Sequence, residues 1–241
     1  RKPNSQLADV SLAEAVAAAQ ELLGWRFRAQ SIALSVDIAP LSVRAGPVRL
    51  QQVLVNILSN AIDALEEEID QHVVRLLALR QPQAGDLRAV IAVMKMAADI
   101  ERLGDYAKNM AKRVPVLSSA PQIEGAGAAI RRQARQVGQM LKDMLDAFAR
   151  LDTALAEDVI NRDIEVDHMT NALFREFITH MMEDPRNISA CLHYTFIAKN
   201  VERMGDLVTG GAEQVIFLAT GERFGDRPKG ESTATIDVQP D

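Results

Sequence analysis

The chain has 241 residues, of which 48% are hydrophobic, only 4% aromatic and 25% charged, and its formal net charge is −6. That charge excludes nucleic-acid binding through a general basic surface, and the single cysteine, Cys191, excludes a disulfide framework within the chain. Neither an uncharged apolar run of 18 residues nor a signal-peptide pattern occurs, so the sequence predicts a soluble cytoplasmic protein without membrane insertion.

The N-terminal part predicts one helix and two short strands. The capping box Ser11-Leu-Ala-Glu14 begins an alanine-rich helix that runs to about Phe27. Apolar and polar residues alternate over Ser31–Ile38, which is typical of a strand, and Ser42–Arg44 predicts a second, shorter strand. Pro47 then suits the first position of a new helix.

Beyond Pro47 the chain predicts helix almost throughout, so the fold class is mostly α. An apolar stripe continues to Arg80, where Gln81-Pro82 ends the helix because a residue before proline is pushed out of the helical region. A loop is predicted at Val114–Gln122, and Asp152 is expected to cap the helix that follows it. The tail from 221 to 241 is predicted to be disordered. The four later helices are expected over about Gly85–Lys112, Ile123–Leu151, Thr153–Met182 and Asn187–Thr220.

One five-residue phrase occurs twice, as Glu101-Arg-Leu-Gly-Asp105 and as Glu202-Arg-Met-Gly-Asp206. Two carboxylates four residues apart share one helix face and repel each other, and a glycine inside a helix costs about 1 kcal/mol. Because these two destabilising features occur at two matching positions, we expect a compensating interaction: a bound metal ion, a close helix–helix contact, or both. Carboxylate oxygens suit Fe, Mn, Mg, Ca or Zn.

The phrase belongs to a longer internal repeat. Each half has a long helix, a break that contains a proline, and a second long helix that carries the phrase. The repeat predicts two tandem three-helix bundles. The first bundle lacks its own leading helix, and the N-terminal region of the chain takes the place of that helix. In the second half, Asp163 and Asp167 share one helix face and are further candidate metal ligands.

Seven segments of this repeat match a known family in order along the chain: Asp63–Asp70, Leu76–Pro82, Gly85–Arg88, Asp99–Asn109, Asn161–Asp167, Glu183–Pro185 and Asn200–Asp206. Over about residues 63 to 220 the chain thereby resembles the PhoU family, accessory regulators of high-affinity phosphate uptake. The resemblance implies two bundles whose acidic faces hold a metal ion or a small cluster. It also implies contacts with the ATPase subunit of a phosphate transporter and with a membrane sensor kinase, and it leaves homo-oligomerisation open.

The family pattern extends the candidate metal sites by one residue in each half. Asn109 matches the family's asparagine one turn after Asp105, whereas Gly210 stands there in the second half. Glu213 matches a later acidic position, whereas Lys112 stands there in the first half. The resemblance therefore implies two related sites of unequal affinity.

A second resemblance covers Arg49–Ala64, which is similar to the N box of sensor histidine kinase ATPase domains. In that family the asparagine corresponding to Asn60 helps to hold the magnesium of bound ATP, and Asn56 lies one turn earlier. No D-x-G-x-G box and no glycine-rich ATP lid follows in this sequence. We therefore expect no kinase or ATPase activity from the chain.

These observations predict a non-catalytic, metal-binding regulator of phosphate uptake and phosphate-starvation signalling. Its expected parts are a kinase-like fragment at 1–62, a first repeat at 63–120, a second repeat at 121–220 and a disordered tail at 221–241. The alternatives are a fragment of a sensor-kinase ATP-binding domain and a chimera without native function.

Overall fold

The computed structural model of the chain describes residues 8–11, 42–45 and 47–225. Two short strands, β1 (Ala8–Ser11) and β2 (Ser42–Ala45), form an antiparallel pair in which Ala8 lies opposite Ala45 and Ser11 lies opposite Ser42. Strand β2 covers the predicted Ser42–Arg44, whereas β1 was not predicted. The helix expected up to Phe27 and the strand expected at Ser31–Ile38 lie outside the described residues, so the predicted helix–strand–strand arrangement stays a prediction.

The rest of the described chain is helical, as the sequence predicts. The helices are α1 (Pro47–Arg80), α2 (Ala84–Ala111), α3 (Val114–Leu117), α4 (Ala126–Arg150), α5 (Thr153–Glu183) and α6 (Ile188–Thr220), with a 3-10 turn at Pro185–Asn187 between the last two. The five long helices lie within about three residues of their predicted bounds. The one-turn helix α3 falls where a loop was expected, because Pro115 fits the first turn of a helix and does not prevent one. The predicted disordered tail from residue 226 onward lies outside the described residues.

Helices α4, α5 and α6 form a three-helix bundle, which corresponds to the second predicted bundle. Their facing sides bury a continuous apolar core that includes Met140, Met144, Val159 and Val208. Helix α2 packs on α6, and α1 packs on α2. The first repeat therefore contributes a helical hairpin to the described residues, and it is joined to the second repeat through the contact between α2 and α6.

The break between α4 and α5 follows the predicted capping chemistry. The Leu155 backbone N–H donates to Asp152 Oδ1 at 3.0 Å, so Asp152 caps α5 as expected. Leu151 adopts a left-handed conformation with φ of 54°, which ends α4 and turns the chain back. This short connection makes α4 and α5 antiparallel neighbours.

A second buried cluster fills the end of the bundle near Pro185. Phe177 of α5 stacks on Tyr194 of α6, with 5.9 Å between ring centroids. Cys191 is fully buried in this cluster, and burial raises the pKa of its thiol. A raised pKa keeps the thiol protonated at neutral pH, so Cys191 acts as a small core residue.

Candidate functional site

The two acidic phrases lie in the C-terminal half of α2 and in the middle of α6, at positions where both helices are packed. Leu103 and Gly104 are buried in α2, and Gly205 is buried in α6. A Cβ atom on Gly205 would lie 2.9 Å from Asp163 Oδ1 of α5. Glycine at position 205 therefore allows α5 and α6 to approach closely, which explains the helix cost of the glycine in the second copy of the phrase.

The first acidic face is formed by α1 together with α2. Burial is the largest cause that raises the pKa of Glu101, followed by the negative charges of Asp105, Asp63 and Glu66. Asp105 is exposed, and Lys108 Nζ lies 3.9 Å from its Oδ1. Asp63 Oδ1 is buried and has no hydrogen-bond partner. Arg102 lowers the pKa of Glu101, but less than each of these three carboxylates raises it, so negative charge predominates on this face.

Asp63 and Glu66 were not among the predicted site residues of the first face. They belong to the helix before the phrase, and only the packing of α1 on α2 brings their charges to Glu101. The internal repeat contained a usable signal, because Asp63 precedes Glu101 by about as much as Asp163 precedes Glu202.

The second acidic face is formed by α5 together with α6. Burial is again the largest cause that raises the pKa of Glu202, and the charges of Asp206 and Asp167 raise it further. Lys199 opposes them, since its Nζ lies 2.6 Å from both carboxylate oxygens of Glu202. The structure therefore brings the predicted residues Asp167, Glu202 and Asp206 into one electrostatic group, with Asp163 beside Gly205 on the same hairpin.

The remaining predicted residues lie further from these groups. Asn109 is exposed near the end of α2 and accepts a hydrogen bond from Lys112 Nζ at 3.5 Å. Glu213 is half-buried on α6, about two turns beyond Asp206. Asn56 and Asn60 are exposed on one side of α1, inside a helix that runs without a break into the first repeat. Nucleotide binding by these two asparagines stays a prediction.

The two faces suit a cation by the chemistry of their donors. Oxygen ligands and a surplus of negative charge are what hard divalent cations require. A cation would stabilise the ionised forms of Glu101 and Glu202, whose pKa is raised mainly by burial and further by neighbouring carboxylates. Within residues 47–225, however, no three side chains of His, Cys, Asp or Glu already stand close enough together to hold one ion. Side-chain rotation, including release of Lys199 from Glu202, is therefore required before an ion could bind.

Membrane insertion was excluded from the sequence by its lack of a long uncharged stretch. Of the helices that the structure describes, none combines the length and the apolar character needed to cross a bilayer.

Comparison with protein-family models shows a match to the PhoU domain over residues 50–114 and 130–215, which include both acidic phrases. A phosphate-specific transport system accessory protein PhoU homologue from Caulobacter vibrioides is 44% identical over 193 residues, covering 80% of this chain and 83% of the relative. A homologue of the same name from Zymomonas mobilis is 46% identical over 170 residues, covering 70% of this chain and 71% of the relative.

Solved structures give the same result. The crystal structure of PhoU from Pseudomonas aeruginosa is similar with a TM-score of 0.69 and 33% identity, covering 87% of this chain and 96% of that protein. The phosphate transport system regulatory protein PhoU from Streptococcus pneumoniae is similar with a TM-score of 0.67 and 26% identity, covering 88% and 95%. The match of 50–114 begins within the segment that resembles a kinase N box.

Proposed function

The chain belongs to the PhoU family, and we propose from this premise that it regulates phosphate uptake and damps phosphate-starvation signalling when phosphate is plentiful. Members of the family are accessory regulators and not enzymes, and this chain is likewise not an enzyme. The observation that carries the proposal is the match over both repeats, together with the relatives' description as phosphate-specific transport accessory proteins.

The uptake part is tested in a bacterium that lacks its own PhoU protein. Expression of this chain should lower the uptake rate of radiolabelled phosphate in phosphate-rich medium toward that of the parent strain. Uptake that stays at the deletion-strain rate, although the chain is expressed and folded, would contradict the proposal.

We propose further that regulation proceeds through contacts with the transporter's ATPase subunit and with a membrane sensor kinase. The support for the transporter contact is the name of the relatives, which places them in a transport system. The sensor-kinase contact rests on the family resemblance. Cross-linking in cells, followed by identification of the trapped proteins, tests both contacts separately.

The two acidic faces are the proposed metal sites. Glu101, Asp105 and Asp63 would hold an ion between α1 and α2, and Asp167, Glu202 and Asp206 would hold one between α5 and α6. A bound cation supplies positive charge that links the two helices of a hairpin. The support is the clustering of carboxylates around Glu101 and Glu202, whose pKa is raised first by burial and then by the neighbouring negative charges.

Replacing Glu101, Asp105, Glu202 and Asp206 together by alanine tests this assignment. Elemental analysis of protein purified without chelators should detect Fe, Mn, Mg, Ca or Zn in the parent chain and none in the variant. Equal metal content in the two proteins would refute the metal part and leave the regulatory proposal standing.

A further inference from the structure

The hairpin of α5 and α6 exposes large apolar side chains in two regular rows. They recur every fourth residue along one face of each helix: Phe174, Ile178 and Met182 on α5, and Ile188, Leu192 and Phe196 on α6. Residues four apart lie one above the other on a helix, so each set forms a continuous row. We call these six residues the hairpin patch.

The two rows lie at matching levels of the hairpin. Helices α5 and α6 are joined by a short turn at Pro185 and pack along their length. Met182 and Ile188 are equally far from Pro185 in sequence. The same holds for Ile178 with Leu192 and for Phe174 with Phe196. In an antiparallel hairpin such residues lie at the same level. Phe174 follows Asp167 by seven residues and Leu192 precedes Asp206 by fourteen, so each row continues a helix face that carries a carboxylate acting on Glu202, and the two rows form one surface near the turn.

The hairpin patch is distinct from the bundle core. Phe177 and Cys191, on the inner faces of the same two helices, are fully buried in the cluster that closes this end of the bundle. The outer rows remain exposed although the core beneath them is complete, and Phe196 is 52% exposed and Met182 is 80% exposed. Clustered exposure of this kind marks interaction sites, whereas single exposed apolar residues need no explanation.

The first repeat exposes apolar residues at equivalent positions. Leu87 and Ile91 of α2 precede Ile188 and Leu192 by 101 residues, the same offset that separates the two acidic phrases. Leu79 and Met182 each stand three residues before the proline of their turn, and Leu79 is 71% exposed. Three of the six patch positions are therefore apolar and exposed in both hairpins, whereas the counterparts of Phe174, Ile178 and Phe196 are polar or charged.

The charge of the surface beside the hairpin patch indicates which kind of partner covers it. Moving along the hairpin away from the turn, the surface becomes acidic at Asp167, Glu202 and Asp206, with Lys199 as a partial counter-charge. Glu202 follows Leu192 by ten residues, which is about 15 Å along a helix. A second copy of the chain would present its own acidic face, and an anionic bilayer would also be repelled by it. A positively charged protein segment is attracted.

Arg113 adds a local feature to the edge of the patch. Its guanidinium carbon lies 4.2 Å from the centroid of the Phe196 ring, and its Nη1 lies 3.3 Å from His193 Nδ1. These contacts hold the Phe196 ring in place at the end of the row. A fixed aromatic anchor costs little entropy when a partner covers it.

We propose that the hairpin patch and the adjoining acidic face dock an amphipathic helix of a partner protein, with apolar residues at four-residue spacing and Lys or Arg residues two to three turns beyond them. This inference rests on the proposed regulatory function, because it describes the chemistry of a partner through which that regulation acts.

The test uses a displayed library of helices of about 21 residues as the probe. Three leucines at four-residue spacing are fixed, and the outer positions on the same face are randomised between Lys and Glu. Selection on the full chain should enrich Lys two to three turns from the leucines, and the selected peptides should bind at least tenfold more weakly to Ile178→Gln/Leu192→Gln. The control Val74→Gln, at a 65% exposed apolar position on α1, should bind as the parent does.

Met182→Gln is the second variant, since its side chain is almost fully exposed and its loss leaves the core intact. It should weaken the selected peptide several-fold without changing the far-UV circular dichroism spectrum. Selection without a Lys bias, or equal binding to parent and patch variants, would overturn the proposal. If the parent chain self-associates and the patch variants do not, the occupant of the patch is a second copy of the chain. If the parent chain binds phosphatidylglycerol vesicles and the patch variants do not, the occupant is a membrane surface. Either result would also overturn the proposal.

The two proposals can fail separately. If the parent chain restores normal phosphate uptake but the library shows no Lys bias, only the docking proposal fails. If the parent chain does not restore uptake, the regulatory function fails whatever the library shows.

Discussion

Replacing Gly211 by alanine tests the packing of α4 against α6, which holds the second acidic face in position. A Cβ atom on Gly211 would lie 2.9 Å from Met144 Cε and 3.0 Å from Met144 Sδ, and Met144 is buried in the core. These two atoms end a flexible side chain, but Met144 is only 3% exposed in a close-packed core, so we expect its displacement to cost about 1–3 kcal/mol. The better helix propensity of alanine returns about 1 kcal/mol, so we expect a net loss of about 1 kcal/mol in the free energy of unfolding.

Gly138→Ala is the matched control. Gly138 lies inside α4, and no atom outside its own helical turn comes within 4 Å of a Cβ placed there. Only the higher helix propensity of alanine then affects stability, so the free energy of unfolding of this variant should exceed that of the parent by about 0.5–1 kcal/mol. The two alanine variants should therefore differ by about 2 kcal/mol.

Urea unfolding followed by circular dichroism measures both values. In a Met144→Val background, which removes Sδ and Cε, Gly211→Ala should no longer destabilise, because the three atoms nearest to the added Cβ all belong to Met144. The reasoning is refuted if Gly211→Ala proves as stable as Gly138→Ala in the parent background.

Two further changes test the acidic face and the bundle turn. Because the folded-state pKa of Glu101 is raised above its ordinary value of 4.5, the folded protein binds protons more readily than the unfolded chain and the ionised carboxylate opposes folding. Glu101→Gln should therefore raise the free energy of unfolding by about 0.3–0.5 kcal/mol at pH 7, and the gain should vanish below pH 4.5; a gain that is the same at both pH values would contradict this cause. Asp152→Ala should lower the free energy of unfolding by about 1 kcal/mol because α5 loses its cap, whereas Asp152→Asn keeps the cap; equal losses in the two variants would show that the cap bond contributes nothing.

Much of the fold could be predicted because local signals fix where helices begin and end. Helix α1 has its predicted bounds because Pro47 suits a first turn and Pro82 forces the preceding residue out of the helix. Asp152 caps α5 because its short acceptor side chain reaches a free backbone N–H whatever lies elsewhere in the molecule. The helix α3 was missed because a proline with flanking serines fits both a loop and the first turn of a helix.

The site was predicted in part for a different reason. Spacing within one helix placed Glu101 beside Asp105 and Glu202 beside Asp206. The contributions of Asp63 and Glu66 depend on how α1 lies against α2, which periodicity along one helix does not encode. Similarly, the four-residue rows of the hairpin patch have the same pattern as a core stripe, and only the packed structure shows that they face outward.

The central claim is that this chain acts as a regulator of the phosphate response, and a reporter of phosphate-starvation genes tests it most directly. The measurement is made in phosphate-rich medium, in a bacterium that lacks its own PhoU protein and expresses this chain. We predict that reporter output falls to the level of the parent strain. Output that stays at the level of the deletion strain, with the folded chain present in the cells, would contradict the account.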